Sequence, residues 1–261
     1  MTNGVLLFAH SNDLFDYSIL ADECARRVHK FLKVPVCLVT SDEKQYLHVD
    51  EVIKVKKPGS GNLRSFTQHQ TGEFFNEDRY NSYSVSPFDR TLVIDVDYFL
   101  MSDRLNSVWD LSGFKVSHDA VNLAGNSITV THGDLRQVWA TILYFDRSEI
   151  SRTLFELAGH VYMNWDFYAP FYSVPLQPRR NDFAFAIAIR LLEKKFKDVD
   201  TDIGISIVTA NSTLNVVELT DDHSRFEMYE NLEIKSDIHI INKSPILDLL
   251  NVHSLQHRRN D

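Results

Sequence analysis

The chain has 261 residues, 44% hydrophobic and 24% charged, the usage of a globular protein long enough to bury a sizeable core. Its net charge of −9 argues against a broad basic footprint for duplex nucleic acid. Cys24 and Cys37, the only cysteines, lack any zinc or redox spacing and are expected as reduced core thiols, which suits a reducing cytoplasm. Met1-Thr2-Asn3-Gly4 has no basic region ahead of an apolar run, and nothing approaches the ~20 apolar residues that span a bilayer. A cytoplasmic protein without a membrane span or Golgi-type anchor is therefore expected.

Val5-Leu6-Leu7-Phe8-Ala9 reads as a first strand, and His10-Ser11-Asn12-Asp13 as the polar turn and cap of a helix from Leu14 to Phe31. Strands follow at Pro35 to Val39 and Val52 to Val55. This β-α-β-β opening predicts a parallel sheet of nucleotide-binding type. Lys57-Pro58-Gly59-Ser60-Gly61-Asn62 reads as a loop, and Arg64 to Ser86 as a polar, partly helical stretch. Thr91-Leu92-Val93-Ile94 is a buried strand. Further strands are expected at Phe114 to His118 and Val138 to Phe145. Ile150 to Met163 reads as a helix capped by Ser148. Asp182 to Phe196 reads as a second, acidic at its start and basic at its end. Late strands are expected at Ile205 to Val208 and Ile238 to Ile241. With no repeat or linker, the reading is one α/β domain over residues 1–261.

The chemistry centres on Asp95-Val96-Asp97. A strand that ends there delivers paired carboxylates to the sheet edge where α/β proteins bind ligands. Hard oxygen donors of this kind suit Mg²⁺ or Mn²⁺, which complete their shells with water and substrate phosphates. Solvated strand ends carry the same pattern, so the neighbours matter. Arg79 can return beside the site and bind phosphate bidentately. His239, on a late strand, can complete the metal shell, and Lys243 can clamp a diphosphate; alone, His239 reads as a structural histidine. Asn181 and Asp182 open a helix and read as a cap or as contacts to a sugar ring. Ala9, His10, Asn12 and Tyr17, after the first strand, can border a base or ribose, with Val96 beside them. His118-Asp119 offers a general base or an acceptor contact. P-loop, dinucleotide-binding, nucleophile-elbow and zincin motifs are all absent from the sequence.

In this order the motifs resemble those of GT-A glycosyltransferases of the glycogenin and lipopolysaccharide galactosyltransferase type. There an arginine precedes a "YLDxD" strand; here Arg79-Tyr80 precede Leu92-Val93-Ile94-Asp95-Val96-Asp97. Trp139 to Phe145 stands where that family has "NSGVMVF", and Asn181-Asp182 where it has "DQ". Of its late "HxxGxxKPW", this chain keeps His239 and Lys243 at altered spacing. The segments Ser86 to Thr91 and Arg180 to Phe185 are also similar to glycosyltransferase-like proteins of tailed bacteriophages.

The resemblance implies a GT-A fold with a mixed, mostly parallel central sheet flanked by helices, with a nucleotide-binding half over residues 1–103 and a sugar, acceptor and closing half over 104–261. It implies transfer from a nucleoside diphosphate sugar, with uridine as nucleoside, to a hydroxyl acceptor, by a retaining, divalent-metal-dependent reaction. Asp95, Asp97 and His239 would hold Mn²⁺ or Mg²⁺, Arg79 and Lys243 the diphosphate, and Asp182 the sugar. The phage likeness allows a modified DNA base as acceptor beside a glycan, and host cytoplasm as the location. A local basic set (Arg179, Arg180, Arg190, Lys194, Lys195, Arg258, Arg259) would serve such an acceptor, or simply a solvated face. A nucleotidyltransferase and a catalytically silent binding module of the same fold remain alternatives.

Overall fold

A computed structural model describes residues 1–57, 59, 61–67, 70–75, 77–195, 200–229 and 232–257. Pro58 and Ser60 of the predicted loop, Phe196, Arg258 and Arg259, and the Lys195 side chain lie outside what is described.

β1 (Asn3–Ala9) leads to α1 (Tyr17–Phe31), β2 (Val36–Thr40) and β3 (Glu51–Lys54). β4 (Leu63–Thr67) and β5 (Gln70–Glu73) form a hairpin; a 3₁₀ turn at Glu77–Asn81 and α2 (Ser82–Val85) follow. β6 (Arg90–Ile94) enters the D-x-D segment and β7 (Tyr98–Phe99) leaves it. Next come β8 (Phe114–Ser117), β9 (Ala120–Val121), β10 (Trp139–Asp146), α3 (Glu149–Met163), α4 (Trp165–Phe171) and α5 (Asn181–Lys195). β11 (Ile207–Ala210), β12 (Val216–Leu219), β13 (Ser224–Phe226), β14 (Ile238–Ile240) and α6 (Lys243–His257) close the chain.

The main sheet has the order β3-β2-β1-β6-β10-β8 and is mixed and mostly parallel, as the sequence predicts. β1, β2, β3 and β6 run parallel; β10 is antiparallel to both its neighbours. A sheet covered on both faces needs strands that are apolar at every position. β1 shows why: Val5 and Leu7 pack with Leu20, Cys24 and Val28 of α1, while Leu6 packs with Leu154 and Phe155 of α3 and Phe185 of α5. β6 divides in the same way, Leu92 and Ile94 to the α1 side and Val93 to the other.

A smaller sheet, β7-β14-β11-β9, lies on the α1 side, its Phe99, Ile207 and Ile238 sharing that core. β14 pairs antiparallel with β7, placing His239 opposite Tyr98. Asp237, fully buried one residue before β14, anchors the strand. Its Oδ1 accepts from Met101 N at 2.7 Å and Ser102 Oγ at 3.0 Å, and Arg104 Nε lies 3.4 Å from Oδ2.

Three local expectations change. The cap of α1 is Asp16, whose side chain accepts from Ser18 N at 3.1 Å. Residues 10–13 instead form a turn closed by Asn12 Oδ1, which accepts from Leu14 N at 2.9 Å and Phe15 N at 2.8 Å. The stretch after Arg64 is first a hairpin, and helical only from Glu77 on. α4, α6 and the β12–β13 hairpin add to the predicted elements. Ser148 caps α3 as expected, accepting from Ser151 N at 3.4 Å. Both cysteines are free and fully buried. Among the described residues, no helix is long and apolar enough to cross a membrane.

Candidate active site

The end of β6 places the paired carboxylates. Asp95 N donates to Thr141 O of β10 at 3.0 Å, and Tyr98 N donates back to Asp95 O at 2.9 Å, closing a turn over Val96 and Asp97. Ile240 N donates to Asp97 O at 3.0 Å, so β14 joins the turn through the backbone. His239 therefore reaches the carboxylates from the neighbouring strand. The separation of 142 residues in sequence between Asp97 and His239 is closed by sheet pairing.

Ligand atoms of Asp95, Asp97 and His239 all lie within 4.8 Å of one another. His239 Nε2 is 3.4 Å from Asp97 Oδ1 and 4.0 Å from Asp95 Oδ2. The other oxygen of each carboxylate is held by a side-chain cation. Lys243 Nζ lies 2.6 Å from Asp97 Oδ2, and Arg79 Nη2 donates to Asp95 Oδ1. The inner oxygens thus face the imidazole and the outer ones face cations. Carboxylate oxygens with one imidazole nitrogen suit a borderline-hard ion such as Mn²⁺. The ring is not committed elsewhere, for its buried Nδ1 has no hydrogen-bond partner among the described residues. The donor set fits a divalent ion.

The charges are mutually sustained. Burial alone would raise the Asp97 carboxyl, but Lys243 and His239 beside it hold it well below the usual range. Burial opposes the charge on Lys243 and on Arg79; Asp97 and Asp95 respectively outweigh it, so both cations titrate above their ordinary values.

At the start of α5, Asp182 Oδ1 accepts from Ala140 N at 2.9 Å and Oδ2 from Arg180 Nε at 2.9 Å. Burial would raise this carboxyl, and Arg180 with the Ala140 amide brings it down instead. The Ala140 carbonyl accepts from Arg79 Nη1 at 2.9 Å, so one residue of β10 ties Arg79 to Asp182 through its two backbone groups.

These groups line one cavity, with His10, Asn12, Tyr17, Val96 and Asn181 also on its wall. His10 Nδ1 lies 3.0 Å from Ser41 Oγ, which joins the ends of β1 and β2. The Asn12 side chain serves its turn and donates to Glu73 O at 2.8 Å. The Tyr17 ring is 5.9 Å from Lys243 Nζ.

Two predicted residues stand apart from this cavity. Ala9 is buried in the core behind the wall. Asp119 is exposed at the start of β9 and does not line the cavity. Neighbouring His118 is fixed by Gln137 O at 2.7 Å and Thr201 Oγ1 at 3.3 Å.

Arg64 and Phe74 also line the cavity and carry no motif that marks them in the sequence; Trp139, on the same wall, opens the segment matched to "NSGVMVF". Arg180 belonged to the predicted basic set and turns inward to Asp182. Others of that set are surface ion pairs: Arg190 with Asp134 at 2.8 Å and Arg179 with Asp166 at 3.7 Å.

No protein-family model matches the chain, and no curated protein matches it. Solved structures similar to it include the apo form of the glycosyltransferase GlyE of Streptococcus pneumoniae TIGR4, at 14% identity and TM-score 0.44, over 78% of this chain and 45% of that one. An active-site mutant of LgtC is similar at 11% identity and TM-score 0.48, over 70% of this chain and 69% of that one. Apo mouse xyloside xylosyltransferase 1 is similar at 12% identity and TM-score 0.42, over 74% and 83%. The chain thus spans less than half the length of GlyE. GlyE and the xylosyltransferase bear glycosyltransferase names, whereas the bifunctional IspDF of Campylobacter jejuni, similar at 10% identity and TM-score 0.36 over 72% of this chain and 47% of that one, does not. At such identities and TM-scores, function has to be read from the site itself.

Proposed function

We propose that this chain is a metal-dependent, retaining glycosyltransferase of GT-A type. It would move a sugar from a nucleoside diphosphate sugar, with uridine as nucleoside, to a hydroxyl of a glycan or a modified DNA base. One observation carries the reading. Asp95, Asp97 and His239 converge within 4.8 Å at the sheet edge, in the same cavity as Arg79, Lys243, Asn181 and Asp182. Oxygen-rich divalent sites beside basic side chains are suited to diphosphate leaving groups.

A bound Mn²⁺ or Mg²⁺ would supply charge neutralisation for the departing diphosphate. The protein's own groups have the donors to share that task. Arg79 keeps a buried Nε with no partner among the described residues. Lys243 gives one N–H to Asp97 and one to Ile241 O at 3.1 Å, leaving a third of the three that an ammonium carries. Asp182 and Asn181 would meet the sugar hydroxyls. Asp182 is fixed by Ala140 and Arg180, so its orientation costs little on binding. Asp119 does not line the cavity, which favours front-face attack over an inverting reaction with Asp119 as base. The acceptor proton would then pass to the departing phosphate oxygen while the new glycosidic bond forms and the sugar–phosphate bond breaks.

The test is thermal stability with Mn²⁺ and a panel of nucleoside diphosphate sugars. A ligand that binds only the folded state adds about 2.7 kcal/mol at a hundredfold excess over its Kd. A Mn²⁺-dependent rise with one donor, and nucleoside diphosphate as product, are the expected outcomes. Pyrophosphate as product would make the protein a nucleotidyltransferase; no shift with any nucleotide would leave a binding module.

A further inference from the structure

We propose that Arg64 and Arg180 form a second anion site in this cavity, a guanidinium pair that grips phosphoryl oxygens of the ligand's diphosphate. The identity of the ligand rests on the function proposed above; the positive character of the site does not.

Arg64 sits on β4, and its hairpin is pinned on both flanks. Asn62 Oδ1 accepts from Arg179 N at 2.8 Å, and Asn62 Nδ2 donates to Arg179 O at 3.0 Å. On the other flank, Asn12 Nδ2 donates to Glu73 O at 2.8 Å. Gly72 of β5 lies against the turn before α1, where a Cβ would stand 2.7 Å from Leu14 Cδ1. The hairpin therefore bridges the residue before Arg180 and the turn that follows β1.

The Arg64 guanidinium lies over Phe74, 4.9 Å from the ring centroid, and 5.8 Å from that of Phe66. Stacking orients the plane and leaves the N–H fork for an acceptor. Among the described residues it has no hydrogen bond and no ion pair, because the carboxylates nearby are engaged. Asp95 holds Arg79, Asp97 holds Lys243, and Asp182 holds Arg180. Arg180 uses Nε and Nη2 on Asp182, and its Nη1 has no hydrogen bond among the described residues. Burial and the like charge of Arg180 both disfavour the protonated form of Arg64. Two guanidinium groups on the wall of one cavity, one of them without a polar partner among the described residues, are a standing demand for an anion. A bridging phosphate meets it, matching the planar fork and bringing more negative charge than a single carboxylate.

The probe is inorganic pyrophosphate, titrated calorimetrically into the full chain in EDTA buffer and again with Mn²⁺. Arg64→Gln should weaken pyrophosphate binding by about tenfold or more in both buffers, the scale of one charge-assisted hydrogen bond. Mn²⁺ affinity, followed by electron paramagnetic resonance, and the melting temperature should stay at wild-type values. Arg64→Lys should recover part of the loss, since a point charge replaces the fork. Unchanged pyrophosphate affinity in Arg64→Gln overturns the proposal, as does a wild-type chain that binds no pyrophosphate in either buffer. A loss with pyrophosphate but none with uridine diphosphate and Mn²⁺ also overturns the diphosphate assignment and gives the pair to an anionic acceptor. A protein that transfers no sugar from any donor refutes the proposed function yet leaves the pyrophosphate comparison intact.

Discussion

Lys243 Nζ lies 2.6 Å from Asp97 Oδ2, so Asp97 has only its other oxygen to turn toward His239, 3.4 Å away. Both partners are more than nine-tenths buried, with side chains 6% and 9% exposed. Removing one member of such a pair strands a charge and costs about 3–5 kcal/mol. Lys243→Met should therefore destabilise the metal-free protein by several kcal/mol in urea denaturation. Mn²⁺ should return part of that loss, because Asp97 regains a cation. Equal stability of variant and wild type would show that the pair does not neutralise the carboxylate.

The same geometry separates metal binding from folding. Asp97→Asn keeps the size of the side chain and an acceptor for Lys243, while removing an anionic ligand. It should abolish saturable Mn²⁺ binding and leave the far-ultraviolet circular dichroism unchanged. His239→Ala removes the imidazole opposite Tyr98 on the paired strand and should do the same. Retention of a single tight Mn²⁺ site in both variants would move the metal elsewhere.

Much of this site was legible because β6 declares itself. Its apolar run fixes a buried strand, and a buried strand must deliver Asp95 and Asp97 to the sheet edge. His239 was legible only through motif order, since no local pattern says that β14 pairs with β7. Arg64 was illegible for a physical reason: Leu63 and Phe66 are the only large apolar residues in its two strands, so neither period nor composition distinguishes them from a polar loop. Asp119 was read from a His-Asp pair after a strand, a pattern that is the same in sequence whichever end of the molecule it reaches, and the residue lies outside the cavity. Ala9 misled by one residue of strand period: Phe8 and His10 line the cavity, and Ala9 between them faces the core.

Asp221 should govern part of the acid limb of stability. It accepts from Arg26, with Nη1 to Oδ2 at 3.3 Å, and from Lys30 Nζ at 2.7 Å, joining α1 to the β12–β13 turn. The Arg26 hydrogen bond, against burial and helped by Lys30, holds its carboxyl well below the usual range. A depressed folded-state value stabilises above the unfolded value, near 3.9, and that contribution is lost as pH falls through the folded value. Asp221→Asn should lower stability at pH 7 and flatten its decline below about pH 4. A variant curve parallel to wild type across that range would exclude the linkage.

The thiols bear on the opposite limb. Burial pushes Cys37 up to about 12 and Cys24 further. Unfolded thiols titrate near 8.5, so this contribution is full below that value and is lost as pH rises toward the folded values. Neither cysteine should react with a thiol reagent at pH 8 in the native protein, and both should react in denaturant. Prompt labelling of the native protein would contradict the packing around α1 and β2.

Asp119 provides the sharpest check on stereochemistry. An inverting transfer needs a base within about 3 Å of the acceptor hydroxyl, or one water further. Asp119 is exposed at the start of β9 and outside the cavity, and His118 is held by Gln137 and Thr201. Asp119→Asn should therefore leave kcat within about twofold of wild type, the scale of an exposed surface change. The anomeric configuration of the product, read by nuclear magnetic resonance, should match that of the donor. A loss of 10²-fold or more in kcat, the contribution of a general base, together with an inverted product would return Asp119 to the reaction and require the β9 edge to close over the acceptor.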